Sequence, residues 1–163
     1  MKAVRPKVLV IADFDGTLYR SPEPPVPDPS WWYHARSLDG YGPPGFDFKW
    51  ILDVVIPMRK ASQSPGVRTA LLTGRTAHSE MKRRVGTMLG LADLTFDYYQ
   101  FKPVTMRAPN ADFKAGVVQR WLLMEPWVEH VILYEDRPEN LAAVGRMVQR
   151  LGRRYTGVLI PPA

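Results

Sequence analysis

Two aspartates separated by one residue, Asp13 and Asp15, directly follow an apolar run at residues 8–12. Carboxylates at this spacing can hold one hard cation between them, and Gly16 lets the chain turn sharply away. Like charges this close are costly unless a metal ion or a shared proton relieves them. An ordinary acidic turn explains the pair equally well in isolation, so its interpretation depends on the residues that accompany it.

A second polar group, Thr73, Gly74 and Arg75, follows the apolar run at residues 69–72. It offers a hydroxyl, a backbone amide and a guanidinium just ahead of a predicted helix, whose N-terminus favours anions. These are phosphate-binding groups. Considered alone, the segment fits a helix cap and a solvated arginine equally well.

Two further acids, Glu135 and Asp136, follow the apolar run at residues 131–134 and precede Pro138, which suits the first turn of a helix. A carboxylate here can complete a Mg²⁺ site begun by Asp13 and Asp15, because Mg²⁺ takes few carboxylates and keeps water or substrate oxygens. Adjacent side chains point apart, so Asp136 is the preferred ligand and Glu135 the alternative.

Lys114 lies near the start of a predicted helix, where a cation opposes the helix dipole by about 0.3–1 kcal/mol. This unfavourable position suggests a function for the ammonium group. Lys102, which precedes Pro103, is the alternative candidate for the same role.

Short apolar runs at residues 8–12, 69–72 and 131–134, with less regular ones at 94–98 and 155–160, predict β-strands. Apolar residues at helical spacing mark segments between them, around residues 81–89, 113–122 and 141–151. This alternation predicts a doubly wound, mainly parallel α/β sheet, in which ligands bind at the carboxyl ends of the strands. All the polar groups above follow predicted strands or begin helices at that edge.

Residues 19–49 are rich in proline, show little periodicity and include Trp31, Trp32 and Tyr33. Long irregular segments are typical of lids and binding loops, so we expect a small cap insertion within one domain spanning residues 1–163. A G-x-G-x-x-G sequence at residues 40–45 follows no strand and contains two prolines, so it does not predict a dinucleotide site.

The composition is that of a globular protein, with 163 residues, 45% hydrophobic and 23% charged. Twenty-two Lys and Arg against sixteen Asp and Glu give a net charge of +6, which favours anionic partners. The absence of cysteine excludes disulfides, thiol nucleophiles and thiolate zinc sites. No apolar run approaches the ~18 residues of a membrane span, and we expect a cytoplasmic protein that does not bind membranes.

Together these segments resemble the haloacid dehalogenase (HAD) superfamily of phosphohydrolases, whose motifs are D-x-D-x-T, a strand-ending Thr or Ser, a Lys and an acidic pair. The resemblance assigns seven residues to these motifs in order: Asp13, Asp15 and Thr17, then Thr73, Lys114, and Glu135 with Asp136. Thr-Gly-Arg and acid-Asp-Arg look like the phosphatase module of polynucleotide kinase-phosphatases and, more closely, the Swiss Army Knife RNA repair-like branch. Glu135 stands where Asp is common.

The resemblance implies a Mg²⁺-dependent phosphomonoesterase in which Asp13 forms an aspartyl-phosphate. Asp15 would protonate the leaving alkoxide, then activate water, and would offer the metal its backbone oxygen. The metal ligands would come from Asp13, Asp15, Asp136 and Glu135, and substrate contacts from Thr17, Thr73, Gly74, Arg75, Lys114 and Arg137. Asn140, three residues after Arg137, is a further candidate contact.

A small insertion leaves the predicted site open to macromolecules, and bases stack on aromatic rings such as those of Trp31, Trp32 and Tyr33. We therefore expect nucleic-acid 3′-phosphate ends as substrate, with a kinase or ligase partner in the same pathway. Packing of these rings in the core is the alternative. Two other functions are left open: a nucleotidase or small-molecule phosphatase, and a non-catalytic module of the same fold that binds RNA or protein.

Overall fold

The computed structural model describes residues 4–24, 26–39 and 49–162. All five strands of the sheet are parallel, in the order β3-β2-β1-β4-β5. They are β1 (Val8–Ala12), β2 (Val67–Thr76), β3 (Tyr98–Lys102), β4 (His130–Glu135) and β5 (Arg154–Leu159). The α-helices of the described residues are α1 (Leu52–Ser62), α2 (Ser79–Leu91), α3 (Asn110–Met124) and α4 (Pro138–Arg150). The predicted doubly wound α/β fold is confirmed.

The central strand β1 is buried on both faces because successive side chains of a strand point to opposite sides of the sheet. Leu9 and Ile11 pack with residues of α3 and α4, whereas Val10 and Ala12 pack with residues of α1 and α2. Two helices therefore cover each face of the sheet, and β1 cannot shift in register without exposing apolar side chains.

The registers bring the carboxyl ends of β1, β2 and β4 to one edge of the sheet. Ala12 at the end of β1 is aligned with Leu71 of β2 on one side and with Tyr134 of β4 on the other. The residues that follow these three positions in sequence consequently lie side by side. This edge carries the polar groups identified in the sequence.

One predicted strand, at residues 94–98, was wrong. The chain from 92 to 97 is a loop, and β3 begins only at Tyr98. Leu94 and Phe96 are apolar because the loop buries them against the core, and the Asp97 carboxylate accepts a hydrogen bond from the Thr69 amide at 2.9 Å. An apolar run of this length reports burial without specifying a strand.

Two further differences concern element boundaries. Strand β2 continues to Thr76, so Thr73 and Arg75 lie within the strand instead of in a loop after it. Helix α1 had no counterpart in the predicted elements, and Pro57 stands inside it. Its buried residues Val54 and Met58 nevertheless have helical spacing.

The insertion expected at residues 19–49 is described except for residues 25 and 40–48, and the G-x-G-x-x-G sequence lies outside the described residues. Its described part contains two short 3₁₀-helices, Trp31–Tyr33 and Ala35–Leu38, and buries Leu38 in the core. Among the described residues, no helix has the length and apolar character needed to cross a membrane.

Candidate active site

Asp13 is the first residue after β1, and the sheet fixes its position. Its amide donates a hydrogen bond to the Tyr134 carbonyl at 3.1 Å, which extends the pairing of β1 with β4. The residue is only 7% exposed. A carboxylate buried to this extent requires a positively charged partner or a proton.

The partner of Asp13 is Lys114, a buried residue in the second turn of α3. The Lys114 ammonium lies 3.1 Å from Oδ1 of Asp13 and 2.6 Å from Oε2 of Glu135. The other Glu135 oxygen, Oε1, accepts hydrogen bonds from the backbone amides of Asp136 and Arg137. Both oxygens of this fully buried carboxylate are therefore satisfied.

The three carboxyl groups near Lys114 differ in their proton affinity. Burial, followed by the negative charge of Glu135, raises the pKa of Asp13 well above its ordinary value. Burial, followed by its hydrogen bond with Glu135, raises the pKa of Asp136 to about 7. Burial opposes ionisation of Glu135 as well, but Lys114 outweighs it and lowers the Glu135 pKa. Burial would likewise lower the pKa of Lys114, yet the charges of Asp13 and Glu135 raise it.

Asp13, Glu135 and Asp136 fit a hard divalent cation. One oxygen from each lies within 4.8 Å of the other two. When all three carboxyl groups are ionised, one ammonium leaves two of their negative charges unbalanced, which is the charge that Mg²⁺ would neutralise in place of the protons that the raised pKa values of Asp13 and Asp136 favour. Because Glu135 is occupied by Lys114 and by backbone amides, Asp13 and Asp136 are the side chains better placed to bind the ion directly.

The Asp15 carboxylate is not one of these three grouped acids, and it binds Arg75. Arg75 donates two parallel hydrogen bonds, from Nε to Oδ2 at 2.9 Å and from Nη2 to Oδ1 at 2.7 Å. Its Nη1 donates to the Ser37 hydroxyl at 2.6 Å, and its guanidinium lies 5.5 Å from the Trp32 ring centre. Arg75 is 1% exposed, and these contacts position it to orient Asp15, while its expected contact with phosphate stays a prediction.

Backbone conformation brings the first motif against the acidic pair. Gly16 has φ +70°, and a Cβ at this position would collide with the Asp136 carboxylate. Thr17 is fully buried, and its hydroxyl has no hydrogen-bond partner within the described part of the chain. The Thr73 hydroxyl accepts a hydrogen bond from the Arg75 amide at 3.1 Å, which leaves its own proton available to a ligand.

A cavity of about 210 Å³ opens at this edge of the sheet. Its lining combines two acids of the cluster, Asp13 and Asp136, and three other residues of the sheet edge and α3, Lys114, Gly74 and Arg75, with residues of the insertion, including Ser21, Trp32 and Tyr33. Arg137 and Asn140 also line it, Arg137 with a largely exposed side chain and Asn140 with a buried one. Trp32 and Tyr33 therefore flank this cavity and are not members of the core.

The two candidate lysines are separated by the fold. Lys102 lies outside the acidic cluster, where its ammonium donates to the Ala108 carbonyl at 2.5 Å and to Oδ1 of Asn110 at 3.0 Å. Burial lowers its pKa.

Three polar residues of the site were not identified from the sequence. Two of them, Ser21 and Asn110, line the cavity, and the third, Ser37, accepts a hydrogen bond from Arg75. No signal in the sequence indicated Ser37, because it lies 38 positions from Arg75, the residue that it contacts.

The profile of HAD domain family 1 in Swiss Army Knife RNA repair proteins matches residues 23–158. The matched span includes Thr73, Arg75, Lys114 and the acidic pair, and begins after Asp13 and Asp15. No curated protein sequence matches the chain significantly.

Solved structures share the fold at low sequence identity. One chain from a Pnkp1/Rnl/Hen1 RNA repair complex is 19% identical with a TM-score of 0.58, covering 94% of this chain and 43% of its own. A chain from a second structure of the Pnkp1/Rnl/Hen1 complex is 19% identical with a TM-score of 0.65, covering 96% and 46%. The HAD domain of effector protein Lem4 from Legionella pneumophila is 13% identical with a TM-score of 0.64, covering 98% and 88%. The present chain thus spans less than half the length of the Pnkp1/Rnl/Hen1 chains.

Proposed function

The chain belongs to HAD domain family 1 of Swiss Army Knife RNA repair proteins, and from this premise we propose that it is a Mg²⁺-dependent phosphomonoesterase acting on nucleic-acid 3′-phosphate ends. The observation that carries the proposal is the buried Asp13 carboxylate, which contacts Lys114 and lies within 4.8 Å of two other carboxylates in an open cavity. An aspartate held beside an ammonium, at a place where carboxylates could bind a divalent cation, is suited to attack phosphorus.

Asp13 acts as the nucleophile. One of its oxygens attacks phosphorus, the ester P–O bond breaks, and an aspartyl-phosphate forms on Asp13. Lys114 is within 3.1 Å of this carboxylate and stabilises its ionised form against burial. Mg²⁺, when bound by Asp13 and Asp136 with a backbone oxygen of Asp15, would supply positive charge to the phosphoryl oxygens.

Asp15 transfers the protons. It donates one to the leaving alkoxide, then removes one from the water that hydrolyses the aspartyl-phosphate, which restores both side chains. The ion pair and the two parallel hydrogen bonds with Arg75 fix the orientation of the Asp15 carboxylate that transfers these protons.

Other residues of the cavity lining, together with Thr17 and Thr73, which adjoin lining residues in sequence, provide donors for the transferring phosphoryl group. Thr17 and Thr73 offer buried hydroxyl protons, Gly74 a backbone amide, and Arg137 an exposed guanidinium at the cavity edge. Such donors stabilise charge that develops in the transition state without needing to reorganise. Asn140, buried on the first turns of α4, lines the same cavity.

Three observations support a nucleic-acid end as the substrate. The cavity is bordered by Trp32 and Tyr33 of the insertion, the net charge is +6, and the family is one of RNA repair proteins. In this proposal residues 19–49 form a small lid within a single domain. A kinase or ligase acting in the same pathway would follow from the likeness to chains of the Pnkp1/Rnl/Hen1 complex.

The experiment that tests this function is phosphate release from a 3′-phosphorylated oligonucleotide, a 3′-mononucleotide and a sugar phosphate, with and without Mg²⁺. Asp13→Asn should lose at least about 10³-fold in kcat, as expected for removal of a nucleophile, while its circular dichroism spectrum stays that of the wild type. EDTA should abolish the activity and Mg²⁺ restore it. Preference for the mononucleotide would indicate a nucleotidase, and oligonucleotide binding without phosphate release from any substrate would indicate a binding module.

A further inference from the structure

A second cavity, of about 430 Å³, adjoins the candidate active site. It lies between the insertion, the end of β2 and the loop that joins β3 to α3, and it is lined by Tyr33, Thr76, His78, Lys102, Met106 and Arg107. Tyr33 also lines the catalytic cavity, so the two are neighbours on one surface. A volume of this size is within the range of about 300–1,000 Å³ found for ligand pockets.

The Tyr33 backbone is held in place by two hydrogen bonds to its carbonyl group. The Tyr33 carbonyl accepts hydrogen bonds from the Thr76 hydroxyl at 3.1 Å and from Nε2 of His78 at 3.0 Å. His78 must carry its proton on Nε2, because its Nδ1 accepts from the Met81 amide at the start of α2. With 49% of the residue exposed, Tyr33 presents an aromatic ring to the cavity from this fixed point of the backbone. Such a ring can stack on a base with little loss of conformational entropy.

The opposite side of this second cavity is positively charged. Arg107 is exposed, and it forms no hydrogen bond or ion pair with the residues that the structure describes. The loop that carries it is fastened by Lys102, whose ammonium binds the Ala108 carbonyl and Asn110. No carboxylate lines the cavity. The charge and the fixed loop favour an anionic ligand that lies across the cavity.

We propose that the second cavity binds the polynucleotide strand next to the terminal phosphate, with a base stacked on Tyr33 and a backbone phosphate paired with Arg107. This inference rests on the proposed function, since it places the terminal phosphate in the catalytic cavity. It makes a strand, and not a mononucleotide, the preferred substrate. The strand passes from Asp13 over Tyr33 to Arg107.

The test compares kcat/KM for a single-stranded 3′-phosphorylated oligonucleotide with kcat/KM for p-nitrophenyl phosphate. Tyr33→Ala should lower the ratio of the two values about 5- to 150-fold, the range given by loss of base stacking, and Tyr33→Phe should restore it. Arg107→Ala should lower the ratio and reduce the log–log salt dependence of the oligonucleotide reaction by about 0.7, as for one lost phosphate contact. Arg146→Ala is the control: it removes an exposed arginine of α4 and should change neither the kcat/KM ratio nor the salt dependence.

Binding of a fluorescent oligonucleotide ending in a 3′-hydroxyl, measured by anisotropy, tests the second cavity without catalysis. Both Tyr33→Ala and Arg107→Ala should weaken it. Unchanged binding and an unchanged kcat/KM ratio would overturn this inference while leaving the phosphatase proposal intact. If the wild type releases no phosphate from any substrate and both variants bind the oligonucleotide more weakly, the proposed function is overturned, while strand binding in the second cavity is supported.

Discussion

Replacing Lys114 by methionine tests the electrostatic design of the site. Methionine has a similar apolar stem, so the substitution removes the ammonium and leaves Asp13 and Glu135 buried without it. Removing one partner of a buried ion pair costs about 3–5 kcal/mol. Each kcal/mol lowers Tm by about 2–4 °C in a chain of this size, so Lys114→Met should melt about 6–20 °C below the wild type at neutral pH in EDTA.

The pH dependence of this difference has a definite sign. Because Lys114 lowers the pKa of Glu135, ionised Glu135 contributes stability above the ordinary glutamate pKa, and this contribution is lost as pH falls through the lowered value. Without Lys114, burial raises the Glu135 pKa. Protonation of Glu135 in acid therefore removes the unpaired buried charge that destabilises the variant. The gap in Tm between the two proteins should therefore narrow as the pH falls toward 4. Saturating Mg²⁺ should also narrow it, because the ion replaces the lost positive charge.

Thermal denaturation followed by circular dichroism at neutral and acid pH, with EDTA or Mg²⁺, measures these differences. Lys82→Met is the matched control, because Lys82 is an exposed residue of α2. It should change Tm by no more than about 2 °C, since surface substitutions stay within about 0.5 kcal/mol. A Lys114→Met protein as stable as this control at neutral pH would refute the assignment of Lys114 as the cation that neutralises the buried carboxylates.

Two other substitutions examine individual contacts. Arg75→Lys keeps the charge but loses the parallel pair of hydrogen bonds to Asp15, so kcat should fall about 10²-fold with little change in KM. A rise in KM with kcat unchanged, in steady-state assays, would contradict a role in orienting Asp15. Gly16→Ala places a Cβ at φ +70° and against Asp136, so it should lose at least about 1–2 kcal/mol in urea denaturation and weaken Mg²⁺ binding in calorimetry. Gly90→Ala, where a Cβ meets open space in α2, should be neutral or stabilising, and equal effects of the two substitutions would contradict the close approach of Gly16 to Asp136.

Most strands and three of the four helices, α2, α3 and α4, were predictable in their order along the chain because they depend on local pattern, whereas α1 was not predicted. The β-branched run at residues 8–12 identifies a strand buried on both faces, and helical spacing around Met81, Phe113 and Val144 identifies α2, α3 and α4. The family resemblance, carried by the motifs at Asp13, Thr73 and the acidic pair, is confirmed by the family profile. Local pattern failed at residues 94–98, where burial of a loop produces the same apolar run as a strand.

The sequence by itself determined which residue types stand at the carboxyl ends of three strands, and hence that acids, a hydroxyl and a guanidinium share one edge. Only the tertiary structure decided their partners: Lys114 and not Lys102 beside Asp13, Glu135 buried against that ammonium, and Arg75 on Asp15. The physical reason is that these contacts join residues far apart in sequence. Their distances depend on strand order and helix rotation, which the packing of the whole core sets and no local spacing encodes.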